Sequence, residues 1–163
     1  MPSSNPSASR GRSRRFAGSM LVVAMTSAGI AAWLLWPMQP RIVVDPGDVQ
    51  QVETGAAAYR THCASCHGAD LEGQPEWRTR RPDGRLPAPP HDETGHTWHH
   101  PDEHLFALVK HGLQPPLAPE GYESDMPAFD GILSDEEILA VLAYIKSRWP
   151  PEIRRRQSEI SAR

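Results

Sequence analysis

The longest uninterrupted stretch of apolar and small side chains lies near the start of the chain. Residues 16–36 contain no charged side chain, whereas residues 1–15 contain four arginines and no acidic residue. A helix over 16–36 would extend about 31 Å, enough to cross the hydrocarbon core of a membrane. By the positive-inside rule, residues 1–15 then lie in the cytoplasm and the chain beyond residue 36 lies outside it. We predict a single N-terminal transmembrane helix; a signal peptide cleaved within 27–32 is the alternative, and it exports the same domain.

Helical periodicity begins after a proline-containing linker over residues 37–47. The first predicted helix begins after Asp48, a good N-cap, and runs to Cys63. Its apolar face consists of Val49, Val52, Ala56 and Tyr59. The second helix begins near Pro101 and Asp102 and ends at Gly112. Its apolar positions are Leu105, Phe106, Leu108 and Val109.

The third predicted helix begins with a capping box. Ser134 and Glu137 have the spacing at which each side chain satisfies a free backbone N–H of the other residue. The apolar stripe that follows consists of Ile138, Val141, Leu142, Ile145 and Trp149. Pro150 ends the pattern. Loops rich in proline separate the helices and show almost no strand alternation, so we predict an all-α domain over 48–149 and a flexible tail over 150–163.

The charge of the exported part argues against one class of partner. Residues 1–40 hold four of the 17 basic side chains and none of the 20 acidic ones. Residues 41–163 therefore carry a formal net charge of −7. An acidic domain is a poor ligand for nucleic acid, and it is steered towards basic patches on partner proteins.

The most specific motif is Cys63-Ala64-Ser65-Cys66-His67, which has the C-x-x-C-H spacing of a covalent haem site. Two thiols one turn apart can each add to a vinyl group of one porphyrin, and the adjacent imidazole can bind its iron. A zinc ribbon needs a second pair of ligands, but these are the chain's two cysteines. A redox dithiol of the thioredoxin type belongs to a βαβ pattern, which is absent from the sequence. The motif therefore predicts one haem c.

With this motif, residues 48–149 resemble the monohaem class I c-type cytochromes. Three matches carry the resemblance, and they are Gly55-x-x-x-Tyr59, Cys63-x-x-Cys66-His67 and Met126-Pro127-Ala128-Phe129. The resemblance implies a cytochrome c-like helical fold in which the first and last helices cross. Gly55 would let their backbones approach closely, with Tyr59 and Tyr144 packed across the contact.

The resemblance also implies the iron ligands and their neighbours. His67 would be the proximal ligand and Met126, the methionine of the haem domain, the second axial ligand. The carbonyl of Pro89 or Pro90 would accept a hydrogen bond from the proximal imidazole. Trp98 or a nearby histidine would contact the haem edge or donate to a propionate. The arginines of the preceding loop either pair with propionates or form a solvated face, and they are Arg78, Arg80, Arg81 and Arg85.

These observations predict one-electron transfer on the periplasmic side of the bacterial cytoplasmic membrane, not substrate catalysis. The implied partners are redox proteins such as respiratory oxidoreductases at the same membrane. Two alternatives stay open. A displaceable Met126 would give a haem-based sensor or a peroxidase-like enzyme, and the histidine-rich loop from His91 to His104 would give a copper-binding module.

Overall fold

A computed structural model describes residues 42–163 of the chain. The predicted cytoplasmic N-terminus, the transmembrane helix and the first part of the linker lie outside these residues. Within 42–163, no helix combines the length and the apolar character that crossing a membrane requires.

The described part of the chain contains five α-helices and one 3₁₀-helix, joined by loops. The α-helices are α1 (Val49–His62), α2 (Ala64–His67), α3 (Asp102–His111), α4 (Asp135–Ser147) and α5 (Pro151–Ser161). The 3₁₀-helix spans Thr97–His99. Residues 42–163 contain no strand, apart from one isolated bridge between Asp130 and Leu133. The all-α prediction for the domain is confirmed.

The predicted starts of α1 and α4 agree with the observed ones, whereas α4 ends at Ser147, before Trp149 of its predicted stripe. The Asp48 side chain accepts from the backbone N–H groups of Gln50 and Gln51 at the start of α1. At the start of α4, Ser134 and Glu137 form the predicted capping box, with hydrogen bonds of 2.9 and 3.2 Å. These side chains satisfy backbone donors that the first turn of each helix leaves free.

Helices α1 and α4 cross at Gly55, and this contact organises the core. A Cβ atom on Gly55 would lie 1.9 Å from the carbonyl oxygen of Ala140, so a larger residue does not fit. Tyr59 is fully buried one turn later, and its ring centroid lies 5.3 Å from that of Tyr144. The predicted crossing is therefore confirmed.

The core consists of two apolar clusters. The first cluster contains Tyr59, Leu71, Val141, Ile145 and Trp149. The second contains Phe129, Leu133 and Ile138, with Met126 packed against it. The stripe predicted for α4 is buried as expected. Val49 differs from its prediction, because it lies in the first turn of α1 and is 69% exposed.

Residues 150–163 were predicted to be a flexible tail, but the structure has a packed helix there. Pro151 lies in the first turn of α5, where a missing N–H removes no intrahelical hydrogen bond. Gln157 is fully buried, and its Nε2 donates to the carbonyl of His100 and to Oδ1 of Asp102. Asp102 also accepts from Nζ of Lys146 at 2.8 Å. A polar cluster thus joins α5 to α3 and α4.

Candidate haem-binding site

The two cysteines lie at the junction of α1 and α2. Cys63 ends α1 and precedes α2, and its backbone N–H still bonds to the carbonyl of Tyr59. Both thiols are free, with Cys66 exposed and Cys63 partly buried. Burial, reinforced by the charge of Cys66, raises the pKa of the Cys63 thiol to about 11. The neutral thiol is thus the favoured form of Cys63, and the thioether that it would form with a haem vinyl group is also neutral.

The His67 imidazole is buried and its orientation is fixed by the backbone. The ring Nδ1 lies 2.8 Å from the carbonyl oxygen of Pro89. A carbonyl can only accept, so Nδ1 carries the proton and Nε2 keeps its lone pair. Burial lowers the pKa of His67, although the bond to Pro89 opposes this effect. The neutral imidazole that a metal requires is therefore the favoured form.

Gly73 explains how the Pro89 carbonyl comes so close to the histidine. Gly73 has a φ of +69°, and a Cβ there would lie 2.4 Å from the backbone nitrogen of Pro90. Its own N–H donates to the carbonyl of His67 at 2.8 Å. A glycine at this position lets the two chain segments touch. The sequence predicted Pro89 or Pro90 as the partner of His67, and in the structure it is the Pro89 carbonyl that contacts His67.

Met126 lies on a different part of the domain, in an irregular segment between α3 and α4. Two backbone hydrogen bonds hold the residues just after it, from Phe129 to Val109 and from Asp130 to Lys110. A cavity of about 350 Å³ opens beside the Met126 side chain. Its lining includes Tyr122, Gly112 and Arg85.

Arg81 and Arg85 form a charged cluster beside Met126 that sequence reasoning did not find. Both guanidinium groups donate to the carboxylate of Asp125, which directly precedes Met126. This pairing lowers the pKa of the Asp125 carboxyl, with the bond to Arg81 as the larger cause. Neither Nε atom has a hydrogen-bond partner within residues 42–163, although both are buried. At 3.7 Å, Nε of Arg81 forms an ion pair with Oδ1 of Asp83, and Nε of Arg85 forms one with Oε2 of Glu123.

The histidine-rich loop divides into a buried part and a surface part. His91 stacks on His67, with ring centroids 4.0 Å apart, and its Nδ1 lies 2.8 Å from the hydroxyl of Thr97. On the surface, the ring of His100 lies 5.2 Å from that of His96 and 4.9 Å from that of His104. Across the described residues, no three histidine, cysteine or acidic side chains are arranged to hold a metal ion.

Trp98, the remaining predicted site residue, packs against the first apolar cluster. Its indole Nε1 donates to the carbonyl of Glu93 at 3.2 Å, and Arg156 lies 5.1 Å above the ring. The indole N–H is therefore already engaged, which disfavours its donation to a propionate, and contact of Trp98 with the haem edge stays a prediction.

The chemical groups described above fit a covalent haem. The site offers two thiols that form no disulfide. Beside them lies a buried neutral imidazole whose Nδ1 donates to the Pro89 carbonyl, so that Nε2 is left to bind a metal. A thioether lies beside a cavity, and the buried Nε atoms of Arg81 and Arg85 have no hydrogen-bond partner within residues 42–163. The thiols match the vinyl groups at the porphyrin edge, the imidazole and the thioether match the iron, and the guanidinium N–H groups match the propionates.

Comparisons with known proteins point to the same cofactor. The family model described as Cytochrome c matches residues 52–149. The cytochrome bc1 complex cytochrome c subunit of Mycobacterium tuberculosis is 38% identical over 65 residues, which are 40% of this chain and 23% of that protein. The Cbb3-type cytochrome c oxidase subunit CcoP of Cereibacter sphaeroides is 30% identical over 107 residues, 64% of this chain and 33% of that protein.

A third relative, the Cbb3-type cytochrome c oxidase subunit FixP of Rhizobium meliloti, is 28% identical over 110 residues, 65% of this chain and 33% of that protein. The chain spans no more than a third of the length of these relatives. No solved structure matches the chain. Because the family match covers more than half of the sequence and agrees with the C-x-x-C-H site, the chain belongs to the cytochrome c family, as a monohaem class I c-type cytochrome with a covalently bound haem c.

Proposed function

We propose that this protein is a one-electron carrier in which His67 and Met126 are the axial ligands of a haem bound to Cys63 and Cys66. The observation that carries the proposal is the buried His67, whose Nδ1 is held by the Pro89 carbonyl 2.8 Å away, directly beside two free thiols. This arrangement leaves Nε2 as the ligand atom and fixes the plane of the ring.

Each side chain has a defined task in this proposal. The haem iron supplies the one-electron chemistry when bound. Cys63 and Cys66 would anchor the porphyrin, and the Met126 thioether would favour the ferrous state relative to a second imidazole. The buried Nε groups of Arg81 and Arg85 would donate to propionates, since charge-assisted bonds of this kind are the strong ones. The chain itself breaks no substrate bond.

We infer the partners from the relatives and the charge. The similar proteins are named as subunits of a cytochrome bc1 complex and of cbb3-type oxidases. A respiratory membrane oxidoreductase is the partner class that these names favour. The net charge of −7 over residues 41–163 favours docking to a basic patch, and it disfavours nucleic acid.

The proposal also includes where the protein lies in the cell. The uncharged run over 16–36, preceded by four arginines, supports a single-pass anchor in the cytoplasmic membrane with the haem domain in the periplasm. Alkaline extraction of membranes from the producing bacterium tests this. An anchored chain stays in the membrane fraction, whereas release of a shorter chain would identify a cleaved signal peptide.

Carbon monoxide separates the carrier from the sensor and peroxidase-like alternatives. In the reduced full-length holoprotein, a bound thioether should keep the iron closed to the gas at low concentration. A redox titration of the same sample should follow a single one-electron transition. Tight binding of carbon monoxide would contradict the proposal, and metal analysis after exposure to copper and desalting tests the copper-binding alternative.

A further inference from the structure

The Met126 segment is attached to the preceding part of the domain by charge. The segment spans residues 113–126, and its backbone hydrogen bonds within the described residues are local. Across 42–163, its hydrogen bonds to the chain before α3 are those from Arg81 and Arg85 to Asp125. The Asp125 carboxylate therefore joins this segment to the loop that carries both arginines, and Glu123 adds a longer ion pair to Arg85 at 3.7 Å.

The arginine loop is built to present two guanidinium groups together. The backbone N–H of Arg81 donates to the carbonyl of Arg85 at 2.9 Å, and that of Gly84 donates to the carbonyl of Arg81 at 2.9 Å. Gly84 has a φ of +83°, a conformation that glycine adopts without strain. The Asp83 side chain accepts from the backbone N–H of Arg85. The turn therefore fixes the backbone separation of Arg81 and Arg85, and from these positions both side chains reach Asp125.

The two guanidinium groups share the carboxylate between them. The Nη1 atom of Arg85 lies 2.6 Å from Oδ1 of Asp125, and Nη2 of Arg81 donates to Oδ2. Both oxygens are thereby engaged, so the Asp125 side chain has one preferred orientation. A network of two cations on one anion is more rigid than an isolated surface pair.

We propose that Asp125, clamped by Arg81 and Arg85, is a positioning residue that holds the Met126 thioether at the haem iron. The inference rests on the proposed His67–Met126 ligation. Residues after Met126 are held by the backbone bonds of Phe129 and Asp130 to α3. The residues before it are joined to the earlier chain by ion pairs, of which those of the clamp are the shortest. Opening the clamp frees the upstream end of the segment and lets the sulfur leave.

Displacement by imidazole in the full-length ferric holoprotein tests the clamp. The rate at which excess imidazole abolishes the far-red band of sulfur-ligated ferric haem measures how often the thioether leaves. In Asp125→Asn we expect this rate to rise about fivefold, because two exposed ion pairs are lost. Asp130→Asn is the matched control, since Asp130 is an exposed aspartate four residues after Met126 with no side-chain partner within 42–163, and its rate should equal that of the wild type.

Salt and a double-mutant cycle test the same contact without relying on one variant. High salt should accelerate displacement in the wild type, because it screens exposed pairs, and should accelerate it much less in Asp125→Asn, where the looser Arg85–Glu123 pair remains. Arg81→Gln should accelerate displacement in the wild type and have no further effect in Asp125→Asn, because the other ion pair of Arg81 is with Asp83 of its own loop.

Equal rates in the wild type, Asp125→Asn and Asp130→Asn would overturn the clamp and leave His67–Met126 ligation intact. An equal acceleration in both aspartate variants would also overturn it, because it would show a general effect of charge. If the wild-type ferric protein has no far-red band, the ligation itself is wrong and the clamp is overturned with it.

Discussion

The two predicted iron ligands are held in opposite ways. His67 is 7% exposed, lies at the end of α2 and is oriented by the backbone carbonyl of Pro89. Met126 lies in an irregular segment whose upstream end is tied by side-chain ion pairs on the surface. The histidine side is fixed by main-chain geometry and burial, whereas on the methionine side the upstream end of the segment is fixed by exposed charges.

This difference indicates which ligand is exchangeable. A buried hydrogen bond to the backbone persists at any ionic strength, whereas exposed ion pairs weaken as salt rises. We therefore expect perturbations of the helical scaffold to change the stability of the whole domain. Perturbations of the Met126 segment should change ligation first.

The largest effect should come from Gly55→Ala, which breaks the scaffold. The added methyl group would lie 1.9 Å from the carbonyl oxygen of Ala140, so α1 and α4 must separate. We expect the free energy of unfolding of the holoprotein to fall by about 3 kcal/mol, as measured by guanidinium chloride denaturation.

Gly47→Ala is the matched control for this change. A Cβ at Gly47 meets only the Asp45 side chain, at 3.2 Å, on an exposed part of the chain. Its free energy of unfolding should stay close to that of the wild type. Equal stability of Gly55→Ala and Gly47→Ala would show that the helix crossing does not organise the core.

A smaller loss should follow Asp102→Asn, which leaves the Lys146 ammonium without a charged partner. The side chains of Lys146 and Asp102 are 7% and 16% exposed, and Asp102 joins α3 to α4 and α5. We expect the free energy of unfolding to fall by about 2 kcal/mol, because a buried charge is left uncompensated. The far-red band should stay unchanged, since the Met126 segment is not part of this cluster.

Asp135→Asn provides the control for the buried pair. Asp135 also begins a helix and also pairs with a lysine, Lys110, but their side chains are 37% and 22% exposed. Its loss of stability should be much smaller. If the two variants lose the same stability, burial does not set the strength of the Lys146–Asp102 pair.

The smallest effect concerns pH and the surface histidines. Partial burial, followed by the nearby charge of His104, lowers the pKa of His100, and burial with the nearby charge of His99 lowers that of His96. The unfolded chain therefore binds more protons than the folded one as the pH falls through about 6.5, and stability decreases on the acid side.

Comparing His100→Gln with the wild type at pH 7.5 and 5.5 measures this effect. The variant should lose less stability between the two pH values, by a few tenths of a kcal/mol after solvent screening. Identical pH dependence in both proteins would show that His100 does not contribute.

The sequence predicted the features that depend on local signals. Periodicity and caps predicted α1, α3 and α4, and the resemblance to class I c-type cytochromes implied the crossing at Gly55. Each of these signals acts within one helix or between two regular helices, where the geometry is known in advance.

The features that were missed depend on long-range or competing signals. Pro150 and Pro151 indicated a break and concealed α5, although a proline in the first turn is itself a helix-start signal. The Arg81 and Arg85 pairs to Asp125 join residues 44 and 40 positions apart, across two irregular loops. The periodicity of apolar residues along the chain carries no information on ion pairs between distant loops.

The ferric absorption spectrum of the full-length holoprotein, compared with that of Met126→Ala, tests the proposed ligation most directly. We expect the wild type to be low-spin with the weak far-red band of a thioether on iron, and this band should disappear in the variant. The reduction potential of the variant should also fall, because the sulfur stabilises ferrous iron. A band that survives the substitution, or a wild-type spectrum without it, would contradict His67–Met126 ligation.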